Sequence, residues 1–368
     1  MSEAGASRSD LRAAVRDLLQ DLVSESSLRA AIDNAGARHE RLWTRLLEMG
    51  VIELAAASVR REVEGSHLDL AVVFEELGRA LAPVPAHSTA LAVSALDASG
   101  HPELLQWVPE LVSGKRRAAV AVDADELLAP RAPVGATLAA GGARVTGSLS
   151  SVVDAASADC VLLVAEHDGD LDLFMVRTDT PTVRISATEP FDLTRTVADI
   201  QLVAAPAILV GDAGSGGQRA AALLQLSWLL QAADQVGVAQ RALDEAVGYA
   251  KVRTQFGRTI GSFQAIKHSC VDMLVQAEGA RCLVEAAAEA MDGASLEEAA
   301  VSVSLAAAYA NEAACDNAER SMQIHGGIGY TWEHVSHVIL RRAKASSLRY
   351  ATTSAHWQAV ARGLGGAR

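Results

Sequence analysis

The chain has 368 residues, half of them hydrophobic and only 4% aromatic, with 45 acidic against 32 basic side chains and a net charge of −13. That length permits one large multilayer unit or two to three smaller domains with a sizeable core. The acidic balance argues against a nucleic-acid-binding role, so an anionic ligand needs a local basic site.

The opening residues lack a basic stretch followed by an apolar one, so no secretory signal is expected. From about Asp10 to Leu111 the pattern is helical, and Leu70, Val73, Phe74, Leu77 and Leu81 mark one face of a helix that stops before Pro83 and Pro85. From about Lys115 to Ala205 the texture changes. The short runs Ala118–Val122, Cys160–Ala165, Leu171–Val176 and Thr196–Leu202 are bounded by Gly, Asp and Pro, as strands and tight turns require. Pro181, Pro190 and Pro206 argue against a long helix there. After Gly211–Gly217, expected to be a flexible connector, helical periodicity returns. Leu226, Leu229, Leu230, Ala233, Val236, Leu243, Val247 and Ala250 keep to one stripe, and the stretches 269–292 and 296–325 repeat the pattern. Several long amphipathic helices in succession imply an antiparallel bundle. The fold class is therefore mainly α with a central β domain: a helical domain over 1–114, a β domain over 115–210 and a helical bundle over 218–368. Gln225, Gln231, Asp234 and Gln235 interrupt the apolar stretch Ala221–Val238, so no membrane span is expected. Cys160, Cys270, Cys282 and Cys315 have no metal-like spacing; they read as core residues of a soluble cytoplasmic protein, and no metal site is expected.

Two segments of the last third carry the chemistry: Arg253-Thr254-Gln255-Phe256-Gly257-Arg258, continuing to Phe263-Gln264, and Gln323-Ile324-His325-Gly326-Gly327-Ile328-Gly329-Tyr330. An arginine at a helix end beside an aromatic, and a glutamine before a glycine pair, suit a pyrophosphate and a cofactor that approaches the backbone closely. Taken singly, each also reads as an exposed helix-end arginine or a glycine turn capping a helix. Together, in this order and about 70 residues apart, they resemble the flavin-diphosphate-binding half of the acyl-CoA dehydrogenase family. The order of helical, β and bundle blocks matches that family over essentially the full length. Residues 75–83 also resemble the end of a helix in the family's N-terminal domain, although their charges alone read as a solvated face. The resemblance implies an N-terminal helical domain, a middle β-barrel or sandwich and a C-terminal four-helix bundle.

It also implies site residues. Arg253 would pair with a phosphate of FAD and Phe256 would pack by the dinucleotide. Gln255, Phe263 and Gln264 would line the same groove, and Gln323, Gly326 and Gly327 would close it. In the family these motifs reach the flavin of the neighbouring subunit, while the β domain holds the ring of its own.

Other parts of the family pattern are missing. The Thr-Glu-Pro-type loop is replaced by Ala121-Val122-Asp123-Ala124-Asp125-Glu126, and the aromatic-x-Thr strand by about Leu149–Asp154, with a valine pair and no aromatic. Removing an α proton as the β hydrogen leaves requires a carboxylate base. Most relatives place it about nine residues after the first arginine of a segment matched here by Arg341-Arg342-Ala343-Lys344, where this chain has Tyr350. A minority place it about 26 residues before the motif arginine, where this chain has Ser227. Asp234, two turns along the same helix face, is a weak substitute, displaced by about 10 Å. Asp244 and Glu245 read as solvent-side charges, and His268 and His325 as structural or dinucleotide-adjacent.

The resemblance thus implies a non-catalytic subunit of a heteromeric FAD-dependent acyl-CoA dehydrogenase, similar to the actinobacterial α2β2 enzymes acting on CoA thioesters of steroid side chains. A homologous catalytic subunit, an acyl-CoA and an electron-transfer flavoprotein would be its partners. Two alternatives stay open: a self-sufficient homo-oligomeric dehydrogenase with an unusual base, and a flavin-free pseudoenzyme or assembly partner.

Overall fold

The computed structural model describes residues 3–33, 39–56, 66–122, 134–139 and 142–365. The first block holds helices α1 (Glu3–Leu22), α2 (Glu25–Asp33), α3 (Glu40–Glu48), α4 (His67–Arg79), α5 (Ala86–Asp97), α6 (Pro102–Leu105) and α7 (Trp107–Val112). Helix α4 starts on a reciprocal cap, the Ser66 hydroxyl accepting from the Asp69 N–H and the Asp69 carboxylate from the Ser66 N–H. Leu70, Val73, Phe74 and Leu77 form its buried stripe. Leu81 is also buried but lies beyond the helix, at a left-handed φ of 53° in the turn toward Pro83. The acidic pair Glu75 and Glu76 does not form a solvated face. Both are buried, held by Arg12, Arg16 and Arg281 from α1 and the bundle.

The middle block is a seven-stranded sheet of β1 (Ala118–Ala121), β2 (Val134–Ala139), β3 (Gly142–Val153), β4 (Cys160–His167), β5 (Asp170–Arg177), β6 (Val183–Thr188) and β7 (Val197–Leu209). Pairings β4–β2, β2–β3, β3–β7, β7–β5 and β5–β4 close a ring, with β1 added to β4 and β6 to β7. The near-continuous apolar run of β4 follows from burial on both faces. Val161, Leu163 and Ala165 join the barrel interior with Phe174 and Ile200, whereas Cys160, Leu162 and Val164 pack into the helical core.

The bundle comprises α8 (Gly216–Val252), α9 (Gln264–Gly293), α10 (Leu296–His325), α11 (Ser336–Ser346) and α12 (Thr353–Gly365), with a hairpin of β8 (Thr254–Gln255) and β9 (Arg258–Thr259) between α8 and α9. The glycine-rich entry to α8 is pinned rather than free. Buried Asp172 of β5 accepts the N–H groups of Gly214 and Gly216 at 3.0 and 3.2 Å, the charge complementing the helix N-terminus. Helix α8 lies against α4 backbone to backbone: a Cβ on Gly78 would stand 2.0 Å from Asp234 O, and one on Gly237 1.9 Å from Glu75 O. The polar residues that interrupt α8 point inward. Gln231 donates to Ser346 O at 2.6 Å, and Gln235 to Asn311 and to Ala343 O at 3.1 and 3.0 Å. Among the described residues no helix is long and apolar enough to cross a membrane. Of the cysteines expected in the core, Cys160 and Cys315 are buried, while Cys270 is half-buried and Cys282 exposed on the outer side of α9.

Candidate functional site

Two regions hold the residues singled out from the sequence. The first is one end of the bundle. Arg253 caps α8, and the chain then turns back through Phe256 and Gly257, both at positive φ of 53° and 76°, as a two-residue hairpin turn demands. Arg253, Gln255 and Gln264 are exposed, and Phe256 is 90% exposed. Arg253 makes no side-chain hydrogen bond or ion pair among the described residues. Phe263, at the start of α9, meets Phe256 edge to face at 6.1 Å and carries the Arg258 guanidinium 4.2 Å above its ring. One turn before Arg253, the Tyr249 ring packs on His325 at 4.5 Å, which sets the ends of α8 and α10 side by side. Gln323 is exposed two residues before His325 on α10, which closes at Gly326, φ 64°. A Cβ on Gly327 would meet nothing within 4 Å, so this chain's own packing gives no reason for that glycine.

The second region is a cavity of about 490 Å³ between the barrel and the bundle, bordered by Leu149–Val153, Thr188–Asp192, Arg195, Arg349 and Tyr350. That volume falls in the range of small-molecule pockets. The valine pair does not close it. A register shift between Leu149 and Val152, with Ser151 at φ 56°, turns Val152 into the barrel core. Of the loop segment 121–126, Asp123, Ala124, Asp125 and Glu126 lie outside the described residues.

Tyr350 and Ser227 prove to be linked. Tyr350 Oη lies 3.2 Å from His87 Nδ1, and His87 Nε2 lies 3.2 Å from the Ser227 carbonyl. A carbonyl only accepts, so Nε2 carries the proton and Nδ1 accepts from the tyrosine. Burial, assisted by Arg349 and Arg195, pushes the His87 pKa down to about 3, so the ring is neutral. His87 was not singled out from the sequence: a histidine on an otherwise apolar helix gives no sign of a partner 263 residues away.

Asp234 is not placed as a base. It is buried and grips Arg342 through Nε at 3.1 Å and through a shorter bond from the second nitrogen, while an Arg195 nitrogen stands at 3.5 Å. The two guanidiniums overcome the cost of burial and hold its pKa below the ordinary carboxylate value. Arg342 also donates to Thr194 at 2.7 Å and Arg195 to Val84 O at 2.8 Å. The cluster therefore ties the N-terminal helices, the barrel exit and the bundle together. Asp244 and Glu245 are half-buried and paired with Arg79 and Arg241 rather than free in solvent. His268 is exposed beside Gln264 at 3.4 Å, and buried His325 donates to Ser321 O at 2.7 Å.

The N-terminal domain profile of acyl-CoA dehydrogenases matches residues 6–115, and the C-terminal domain profile residues 214–365. The chain is 32% identical to acyl-CoA dehydrogenase IpdE2 of Mycolicibacterium smegmatis over 92% of each protein. It is 35% identical to acyl-CoA dehydrogenase FadE34 of Mycobacterium tuberculosis over 82% of this chain but 39% of that relative, less than half its length. Among solved structures it is similar to the ChsE4–ChsE5 complex from Mycobacterium tuberculosis, at 29% identity and TM-score 0.88 over 99% and 98% of the two chains. A variant of the Tcur3481–Tcur3483 steroid acyl-CoA dehydrogenase matches at 26% identity and TM-score 0.89 over 99% of each.

Proposed function

The chain belongs to the acyl-CoA dehydrogenase family, and we propose that within it this protein is the non-catalytic subunit of a heteromeric enzyme, completing a flavin site on a homologous catalytic partner. One observation carries the reading. Tyr350 and Ser227, which stand where the resemblance expects the base, carry no carboxylate and are joined through neutral His87, and the nearest substitute, Asp234, is held by two arginines. The names of the similar structures, a complex of two chains and a steroid enzyme of two chains, support a paired assembly and a CoA thioester with a steroid side chain.

The residues present suit the diphosphate half of FAD. Arg253 offers a guanidinium with no side-chain partner among the described residues, Gln255, Gln264 and Gln323 offer amides, and Phe256 and Phe263 offer aromatic faces for the dinucleotide. Gly326 and Gly327 leave open space beside the backbone. FAD bound there would accept the hydride from the acyl thioester held by the partner, with an electron-transfer flavoprotein as onward acceptor. This chain's residues would orient the cofactor and neutralise its phosphates.

The 490 Å³ cavity favours one second reading, a homo-oligomer whose own slot holds a flavin or acyl chain. Flavin absorbance separates the two. The chain purified alone should be colourless, and its complex with a homologous catalytic subunit should hold about one flavin per two subunits. One flavin per subunit in the lone chain would overturn the shared-site reading.

A further inference from the structure

The segment that follows α8 holds a second arginine to which the shared-flavin reading gives no task, Arg258. It lies in a stretch of unusual charge for so acidic a chain. From Ala246 to Val271 there is no Asp or Glu, although 45 of the 368 residues are acidic. Lys251, Arg253, Arg258 and Lys267 fall inside that stretch. All four are exposed, and among the described residues none makes an ion pair or a side-chain hydrogen bond. Nearby Arg79 and Arg241, by contrast, are each paired with a carboxylate, at 2.6 and 2.8 Å. Cations left without carboxylates on an acidic protein suit an anion that comes from outside the chain.

The hairpin arranges two of the four as a pair. Gln255 stands opposite Arg258 across the β8–β9 ladder and Thr254 opposite Thr259, and the Ile260 N–H continues the pairing to the Arg253 carbonyl at 2.8 Å. Arg253 itself is extended, with φ −70° and ψ 124°. Side chains alternate along a strand and opposite residues share a face, so Arg253, Gln255 and Arg258 project from one side of the hairpin and Thr254 and Thr259 from the other. Arg258 is not loose there. Its guanidinium lies 4.2 Å over the Phe263 ring, which Phe256 in turn meets edge to face. Stacking on a ring fixes the plane of a guanidinium and leaves its N–H edge free to donate.

We propose that Arg258 is the second cation of the diphosphate site, donating from the edge of its guanidinium to one phosphate while Arg253 serves the other, with Phe263 as the platform that fixes it. The inference rests on the shared-flavin reading. The diphosphate of a dinucleotide carries a negative charge on each phosphate, so one guanidinium leaves half of it without a partner. Two guanidiniums on one face, with the Gln255 amide beside them, match both phosphates. Lys251 and Lys267, on α8 and α9, strengthen the field that attracts the anion, but as point charges without a stacked platform.

The test uses the complex co-expressed with a homologous catalytic subunit, stripped of flavin and titrated with FAD at several salt concentrations, with flavin fluorescence as the readout. Arg258→Gln should weaken FAD binding roughly tenfold and flatten its dependence on salt, as the loss of a charge-assisted bond does. Arg258→Lys should restore the salt dependence but only part of the affinity, because lysine brings the charge without the planar fork or the stack. Both variants should melt and assemble like the parent, since the residue is exposed. Unchanged FAD affinity in Arg258→Gln, with binding weakened in Arg253→Gln, overturns the role of Arg258 and leaves the shared site standing. Unchanged binding in both variants overturns the shared-site reading and this inference with it. If Arg258→Gln fails to assemble, Arg258→Lys decides, and FAD affinity equal to the parent's overturns the assignment.

Discussion

Asp234→Asn separates a base from a strut. Two buried guanidiniums depend on this carboxylate: Arg342, fully buried with an Nε bond of 3.1 Å and a shorter second bond, and Arg195 with a nitrogen at 3.5 Å. Their remaining hydrogen-bond acceptors, Thr194 Oγ1 and Val84 O, are neutral, and the buried carboxylates of Asp154 and Asp192 stand further off and offset the two charges only in part. Removing one partner from a buried pair costs about 3–5 kcal/mol, because the other charge stays desolvated and uncompensated. For a chain of this size that corresponds to a fall in melting temperature of about 4–6 °C. The chain has several structural blocks, so the readings are the melting midpoint and the urea midpoint rather than a single unfolding free energy. A second variant sharpens the test. Replacing both Asp234 and Arg342 by apolar residues should recover part of the loss, since the ion pair itself contributes little beyond its own desolvation cost; Arg195 still loses the carboxylate at 3.5 Å, so recovery is partial. Asp234→Asn that melts like the parent, yet abolishes dehydrogenation in the assembled enzyme, would refute the reasoning and return the carboxylate to the role of base.

Protonation of His87 should set the acid limit. Its folded pKa of about 3 lies below the ordinary 6.5, so the unfolded chain binds a proton that the folded one refuses. Stability then falls as pH drops from about 6.5 towards 3 and is flat above, by at most roughly 5 kcal/mol from this group. His87→Gln should reduce that slope in pH-dependent melts without removing it, because His356, lowered to about 4 by burial, acts with the same sign. Gly237→Ala would force a Cβ to 1.9 Å from Glu75 O and separate α4 from α8, costing about 1–3 kcal/mol or more by thermal melting. Gly248→Ala, with nothing within 4 Å, should be neutral or slightly stabilising. Arg253→Ala should lower the flavin content of the assembled enzyme while shifting the melting of the lone chain by less than about 1 °C, as surface changes do.

How much was legible follows from where the determining partners lie. The bounds of α10 read correctly because they are local: Ser295 and Glu298 cap one end reciprocally and Gly326 turns the other. Strands β4 and β5 announced themselves as apolar runs, whereas β2, β3 and β6 did not, their outward positions being filled by Gly, Ser, Thr and Arg. The buried glutamates of α4 were misread as solvated because their arginines lie some 60 and 206 residues away in sequence. The connector before α8 was misread for the same reason, since its anchor, Asp172, sits on a strand. Spacing singled out Tyr350 and Ser227 as places where the family's base would be expected, but held no clue to His87 between them.

The residues of the two regions differ in whether their own chain accounts for them. Tyr350, His87, Asp234 and Arg342 are buried, mutually bonded and sufficient reason for one another. Among the described residues Arg253 has no side-chain partner, a Cβ on Gly327 would meet nothing within 4 Å, and Phe256 meets only Phe263 edge to face. Phe256 holds a left-handed backbone at 90% exposure, a costly place for a large aromatic in an isolated chain. Val252, Ile328, Tyr330 and Trp332 around them are 74, 47, 65 and 53% exposed. Exposed apolar side chains and a guanidinium with no partner among the described residues fit a surface that another subunit covers with an anion held between. That distinguishes the shared-flavin reading from a flavin-free assembly partner, for which the apolar side chains matter and the charge does not. Arg253→Glu places an anion where the diphosphate would lie. If flavin is shared, the co-expressed complex should lose its flavin absorbance while gel filtration still finds the two subunits together. If instead flavin absorbance in the complex is unchanged, Arg253 is a surface charge and the diphosphate lies elsewhere.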